Sequence, residues 1–238
     1  MEFVCLFATS HHELKVSLER FFAAQDLRLV EVPLAPGNGW ESEQGNHDHI
    51  LTAEGPSGTS VLMEEHCEGL YDRAEHLSAG LKRVVLAVQF YESYWGYDFF
   101  VDGKVVDRFL TDARGYFQAQ YFRELPGDEA PLYQGRPQLV ARHAPGVDAA
   151  RIAKYVVPWT EPFLKERGGT KAYPTDEATY GDVEQAMDFV QALGFRHPVD
   201  ERGRPVGKIL DTQLPEAKEG ANSKWAQDFA EEIFGKRS

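Results

Sequence analysis

His47 and His49 flank Asp48 in a polar stretch, two imidazoles two residues apart. On an extended segment such side chains project to one side, so the pair with Asp48 or Glu43 has the donor types of a zinc or manganese site. His66 and Cys67 add donors further along. A site of this kind would make the chain a metal-dependent hydrolase. The spacing, however, is neither Cys-x-x-Cys nor His-Glu-x-x-His, and histidines in a polar loop need no metal to explain them. The expectation is therefore no metal site, with His47 and His49 as the alternative. His11 and His12 fall in the first turn of an expected helix, where a protonated imidazole opposes the dipole, which places both at the surface.

Other chemistries leave weaker traces. Ser57 and Ser60 lie in Gly55-Pro56-Ser57-Gly58-Thr59-Ser60, which lacks the spacing of a nucleophile elbow. The chain holds no phosphate loop and no dinucleotide fingerprint. Gly168-Gly169 with Lys165, Arg167 and Lys171 has the composition of a phosphate cradle and equally of a solvated loop. With 38 acids in the chain, sequence proximity cannot mark a general acid and base. Asp98 is better defined: it alternates with Trp95, Tyr97 and Phe99, so it faces away from Trp95 and Tyr97 and can pair across strands with Arg108. No catalytic residue and no cofactor follow from these readings.

Charge gives a second lead. The formal net charge is -13, and residues 1–80 carry 14 acids against 4 bases, a local net of -10. Such a surface repels a nucleic-acid backbone and steers a basic protein partner. The candidate partner-binding acids are Glu41, Glu43, Asp48 and Glu54, then Glu64, Glu65, Glu68 and Asp72. The plain alternative is a solvated face.

The elements that must position these groups read as one α+β domain, with residues 1–80 as a possible N-terminal subdomain. A hydrophobic content of 42% over 238 residues suffices for a core. Glu2 to Ala8 forms a short apolar run, and Ser10-His11-His12-Glu13 is a capping box opening a helix. Leu27 to Leu34 reads as a strand, 35–60 as a long loop with a short strand near His49 to Ala53, and roughly 65–80 as an amphipathic helix. Val84–Tyr91, Tyr94–Val101 and Val105–Leu110 form a central three-strand meander in a mixed or antiparallel sheet, with Asp102-Gly103 as a tight turn. Gln138 to Arg142 reads as an edge strand, and Asp148 caps a short helix. The positions Val183, Ala186, Met187, Val190 and Leu193 describe a helix stopped by Gly194. Residues 200–222 read as a surface loop or hairpin, and Ser223 caps a last helix.

Aromatic residues crowd between Phe90 and Phe122, a density that suits a core or a binding face. Two cysteines suit a reducing compartment, and Cys5 between Val4 and Leu6 reads as core. The opening apolar run is too short for a signal core or a span, so a cytoplasmic location without membrane contact is expected.

The segments Trp95-Gly96-Tyr97-Asp98, Asp102 to Phe109 and Gly115-Tyr116-Phe117 resemble a hairpin of uncharacterised bacterial globular proteins. Lys171-Ala172-Tyr173-Pro174 and Phe189 to Phe195 continue the pattern. Some of those proteins resemble immunity proteins of polymorphic-toxin systems. The resemblance implies a non-enzymatic protein that neutralises a cognate toxin or effector by binding it, and it transfers no functional residue.

Overall fold

A computed structural model describes residues 2–24, 26–32, 49–63, 70–199 and 206–213. Its frame is a single antiparallel sheet of eight strands, with the described helices packed on its two faces. The strands are β1 (Glu2–Phe7), β2 (Arg28–Val32), β3 (His49–Gly55), β4 (Gly58–Met63), β5 (Val85–Phe90), β6 (Trp95–Val101), β7 (Lys104–Leu110) and β8 (Lys208–Gln213). Across the sheet they run β2-β8-β3-β4-β1-β5-β6-β7. The N-terminal strand β1 is hydrogen-bonded to β4 and β5, which ties residues 1–80 to the meander.

Both faces are buried, which explains why β1 from Phe3 to Phe7 and β5 from Val85 to Val88 are continuously apolar. Val4, Leu6, Val85, Ala87 and Phe100 face one way, under helices α1 (His11–Ala23) and α2 (Leu70–Leu81), whose Leu14, Leu18, Phe22, Ala74 and Leu77 complete that layer. Cys5, Phe7, Leu86, Val88, Trp95, Tyr97, Phe99 and Phe109 face the other way. They are covered by the segment that contains α4 (Pro137–Ala141), α5 (Ala149–Ala153), α6 (Glu161–Arg167) and α7 (Gln185–Ala192). The ring of Phe189 on α7 lies 5.2 Å from Trp95 and 5.7 Å from Tyr97, stacked on the latter at 7°.

Local signals operate as read from the sequence. Ser10 accepts from the Glu13 amide while Glu13 reaches back to the Ser10 backbone, closing the capping box. Asp102 and Gly103 adopt φ of 50° and 73° between β6 and β7. Asp148 caps α5, and Gly194 at φ 84° ends α7. The meander is present as β5, β6 and β7, and it forms one end of the sheet.

Three expectations are corrected. The stretch 35–60 was expected to hold one short strand, yet β3 continues through Gly55 into a turn and the hairpin partner β4. The serines and threonines of the turn and β4 look like loop, but their hydroxyls bond to backbone: Ser57 in the turn to the Leu193 carbonyl at 2.5 Å, Thr59 in β4 to the Thr9 carbonyl at 2.6 Å. Gln138 to Arg142 is not an edge strand, because Pro137 stands at the first helical position and opens α4. Residues 200–222 contain β8, inserted between β2 and β3, whose Leu210 is fully buried. The helix expected after Ser223 lies outside the described residues.

Candidate functional site

At the meander end of the sheet, a cleft of about 250 Å³ opens on the face that Asp98 shares with Gln89. Strand register builds its floor. Asp98 on β6 stands directly across from Arg108 on β7, and Gln89 on β5 is opposite Gly96, which is itself opposite Leu110. Gly96 is required by close approach, since a Cβ there would meet Leu110 Cδ2 and the Phe109 carbonyl at 2.4 Å. Asp98 therefore does pair with Arg108, Nε to Oδ2 at 3.3 Å, on the face away from Trp95 and Tyr97.

The pair is asymmetric. The Asp98 side chain is 9% exposed and that of Arg108 41%. Burial pushes the Asp98 carboxyl up to about 6, and Arg108 offsets only part of that rise. Desolvation outweighs the attraction because the guanidinium remains half in water, where its field is screened.

Above this floor stands α3 (Ala113–Tyr121), capped by the Asp112 side chain on the Gly115 amide at 2.9 Å. The helix brings Tyr116 and Tyr121 over the cleft, and a 3-10 turn at Ala130–Tyr133 brings Tyr133. Tyr116 packs on Tyr91, Tyr94 and Tyr121 at steep ring angles, and its hydroxyl lies 3.4 Å from that of Tyr121. Burial first, then the Tyr121 hydroxyl, pushes the Tyr116 phenol up, so it stays protonated and can donate. Tyr91 donates to the carboxamide oxygen of the buried Gln89.

The edge strand β7 is fixed from outside by residues 134–136. The Gly135 amide bonds to the Arg108 carbonyl at 2.8 Å, while Asp107 accepts from the Arg136 amide at 2.8 Å and from the Tyr97 hydroxyl at 3.0 Å. Beyond α3, Tyr121, Phe122 and Leu132 are 54%, 88% and 60% exposed. The Phe117 ring touches those of Tyr121 and Tyr133. Arg123 lies over Phe117 and Tyr121 and pairs with Glu129. Glu124 and Asp128 are exposed beside this patch.

The sequence-derived candidates lie elsewhere. Glu41, Glu43, Asp48, Glu64, Glu65, Glu68 and His47 fall outside the described residues. Asp72 lies on α2, and His49 opens β3, its position paired in register with Asp211. Glu54 is exposed and accepts the His11 amide at 2.7 Å, serving the N-terminus of α1. Among the described residues no three His, Cys, Asp or Glu side chains gather as a metal-ion cluster.

His11 corrects the surface placement. It is buried, with Nδ1 2.9 Å from the Thr52 hydroxyl, and burial followed by nearby Lys208 holds its pKa down. A neutral imidazole does not oppose the helix dipole, so the objection to burying it disappears. His12 is exposed as expected.

Sequence reasoning found the Asp98–Arg108 floor but not the walls. The aromatic crowding was a usable signal for Tyr116 and Tyr121, whereas Tyr133 arrives through an irregular turn that carries no periodicity. The arrangement offers donors, acceptors and rings around one desolvated carboxyl.

Compared with known proteins, the chain matches no family model, no curated protein and no solved structure. Among the described residues no helix is long and apolar enough to cross a membrane.

Proposed function

We propose that this chain is a non-enzymatic binding protein of the immunity type, acting in the cytoplasm, that neutralises a basic toxin or effector by covering it. The observation that carries this reading is the exposure of three large apolar side chains, Tyr121, which also lines the cleft, Phe122 and Leu132. Large apolar side chains gathered at a surface with a polar rim are the usual anchors of a protein interface. Here the rim includes the exposed acids Glu124 and Asp128, and the whole chain carries -13. Anchors supply affinity and the acidic field supplies on-rate, so a basic partner is the complementary one.

The test is capture of the tagged protein from its native lysate at low and high salt, with co-purifying proteins identified by mass spectrometry. One stoichiometric, basic, enzyme-like partner with salt-sensitive association supports the reading. Charge reversal at Glu64, Glu65 and Glu68 that left the association rate unchanged would remove those acids from the interface. A protein that captures nothing yet carries a stoichiometric metal would overturn the reading. That outcome would favour the second one, a metal-dependent hydrolase built on His47 and His49, for which the pairing of position 49 with Asp211 is the favouring observation.

A further inference from the structure

We propose that the cleft between the meander and α3 binds one neutral saccharide ring of hexose size. This inference is independent of the partner-binding reading. It rests on lining chemistry, ring geometry and size together.

The lining carries one carboxylate, Asp98, and one guanidinium, Arg108, paired at 3.3 Å. Their charges cancel, so neither an isolated anion nor an isolated cation gains a counter-ion there without displacing the other. A neutral ligand that donates to the carboxylate and accepts from the guanidinium at neighbouring positions keeps the pair intact. Adjacent ring hydroxyls have that dual character, each being both donor and acceptor.

Gln89, 4% exposed, and Asp98, 6% exposed, are both nearly closed off from water while lining the cleft. Buried polar side chains on a cavity wall fix the orientation of a polar ligand. The hydroxyls of Tyr116, Tyr121 and Tyr133 widen the hydrogen-bonding rim.

Ring geometry separates a saccharide from a planar base. The Tyr116 and Tyr121 rings meet at 79°, and Tyr97 and Phe109, which also line the cleft, pack in the core of the opposite face. The Tyr116 and Tyr121 rings are therefore not set to sandwich a flat heterocycle between them. A puckered ring needs one phenol face for its C–H side and directs hydroxyls outward to several walls, which suits walls at right angles. The volume of about 250 Å³ is below the ~300–1,000 Å³ of sites for drug-sized ligands and has room for a single ring.

The experiment titrates the full-length protein at neutral pH, by calorimetry and ligand-observed NMR, with glucose, galactose, mannose and N-acetylglucosamine. Adenosine, choline and inorganic phosphate serve as comparison probes. At least one hexose is expected to saturate with a Kd on the order of 1 mM or tighter. Tyr121→Ala, at an exposed position that does not threaten the fold, should weaken it about tenfold, as should Asp98→Asn, with far-UV circular dichroism unchanged. The proposal is overturned if no hexose saturates. It is equally overturned if both variants bind the hexose as wild type does, or if a comparison probe binds more tightly and is the one lost in Tyr121→Ala. Failure here leaves partner capture untouched, so the two readings are separable.

Discussion

Asp98 should make this protein less stable as pH rises from about 4 to about 7, opposite to the trend that paired surface carboxylates impose. Its carboxyl is raised from 3.8 to about 6, with burial as the first cause. A raised acid binds its proton more tightly in the folded state. Its stabilising contribution is therefore fully present below the unfolded pKa and is lost as pH rises through the folded one. A rise of about two units corresponds to roughly 3 kcal/mol, lost between about pH 4 and pH 7. The perturbation is Asp98→Asn, which keeps the shape and removes the titration. Urea unfolding of both proteins across that range gives a difference curve in which other carboxylates cancel. The wild type should lose about 3 kcal/mol relative to the variant over the window. Carboxyl-carbon NMR should place the Asp98 midpoint near 6, and Arg108→Gln should raise it further, because the guanidinium opposes the effect of burial. A flat difference curve, or a midpoint below the ordinary aspartate range, would refute the desolvated floor on which the cleft rests.

Other expectations follow from the same frame. Ser10→Ala removes the capping box of α1 and should cost about 1 kcal/mol in chemical unfolding. Gly96→Ala forces a Cβ to 2.4 Å from Leu110 and the Phe109 carbonyl, and should destabilise by roughly 1–3 kcal/mol while disturbing the Tyr116 ring resonances. Trp95→Ala empties a fully buried site between Phe109 and Phe189 and should cost about 3–5 kcal/mol. His47→Ala with His49→Ala should leave the metal content of the purified protein unchanged, measured by elemental analysis. A stoichiometric zinc or manganese ion lost in the double variant would instead establish the hydrolase reading.

What the sequence reveals is what local chemistry decides. Ser10 with Glu13, Asp102-Gly103, Asp148 and Gly194 each act through one or two backbone groups of their own neighbourhood, so their roles are visible without a fold. Asp98 and Arg108 are suggested by alternation on adjacent strands, but their direct opposition is made by a β-bulge between Phe99 and Phe100, since the tight turn alone would set Asp98 against Asp107. The strand β8 is different: Lys208 reaches Glu31 at 3.2 Å and Thr52 through its backbone carbonyl, partners more than 150 residues away. No local period encodes such pairing. Likewise the turn before β4 and the start of β4 look polar until Leu193 and Thr9 supply acceptors for the hydroxyls of Ser57 and Thr59. The candidate site divides the same way. Its floor is a meander and legible, whereas α3 has Phe117 as its one buried residue and the 3-10 turn at Ala130–Tyr133 has none, so neither shows an apolar stripe to read.

The most direct test of the binding role compares capture by wild type with capture by a Tyr121→Ser, Phe122→Ser, Leu132→Ser variant from the same native lysate. These three side chains are exposed and leave the core untouched. Wild type should retain one basic partner at a stoichiometric level, and the variant should lose it while unfolding at the same urea concentration. Equal retention of that partner by the variant, or no stoichiometric partner on wild type, would contradict the account.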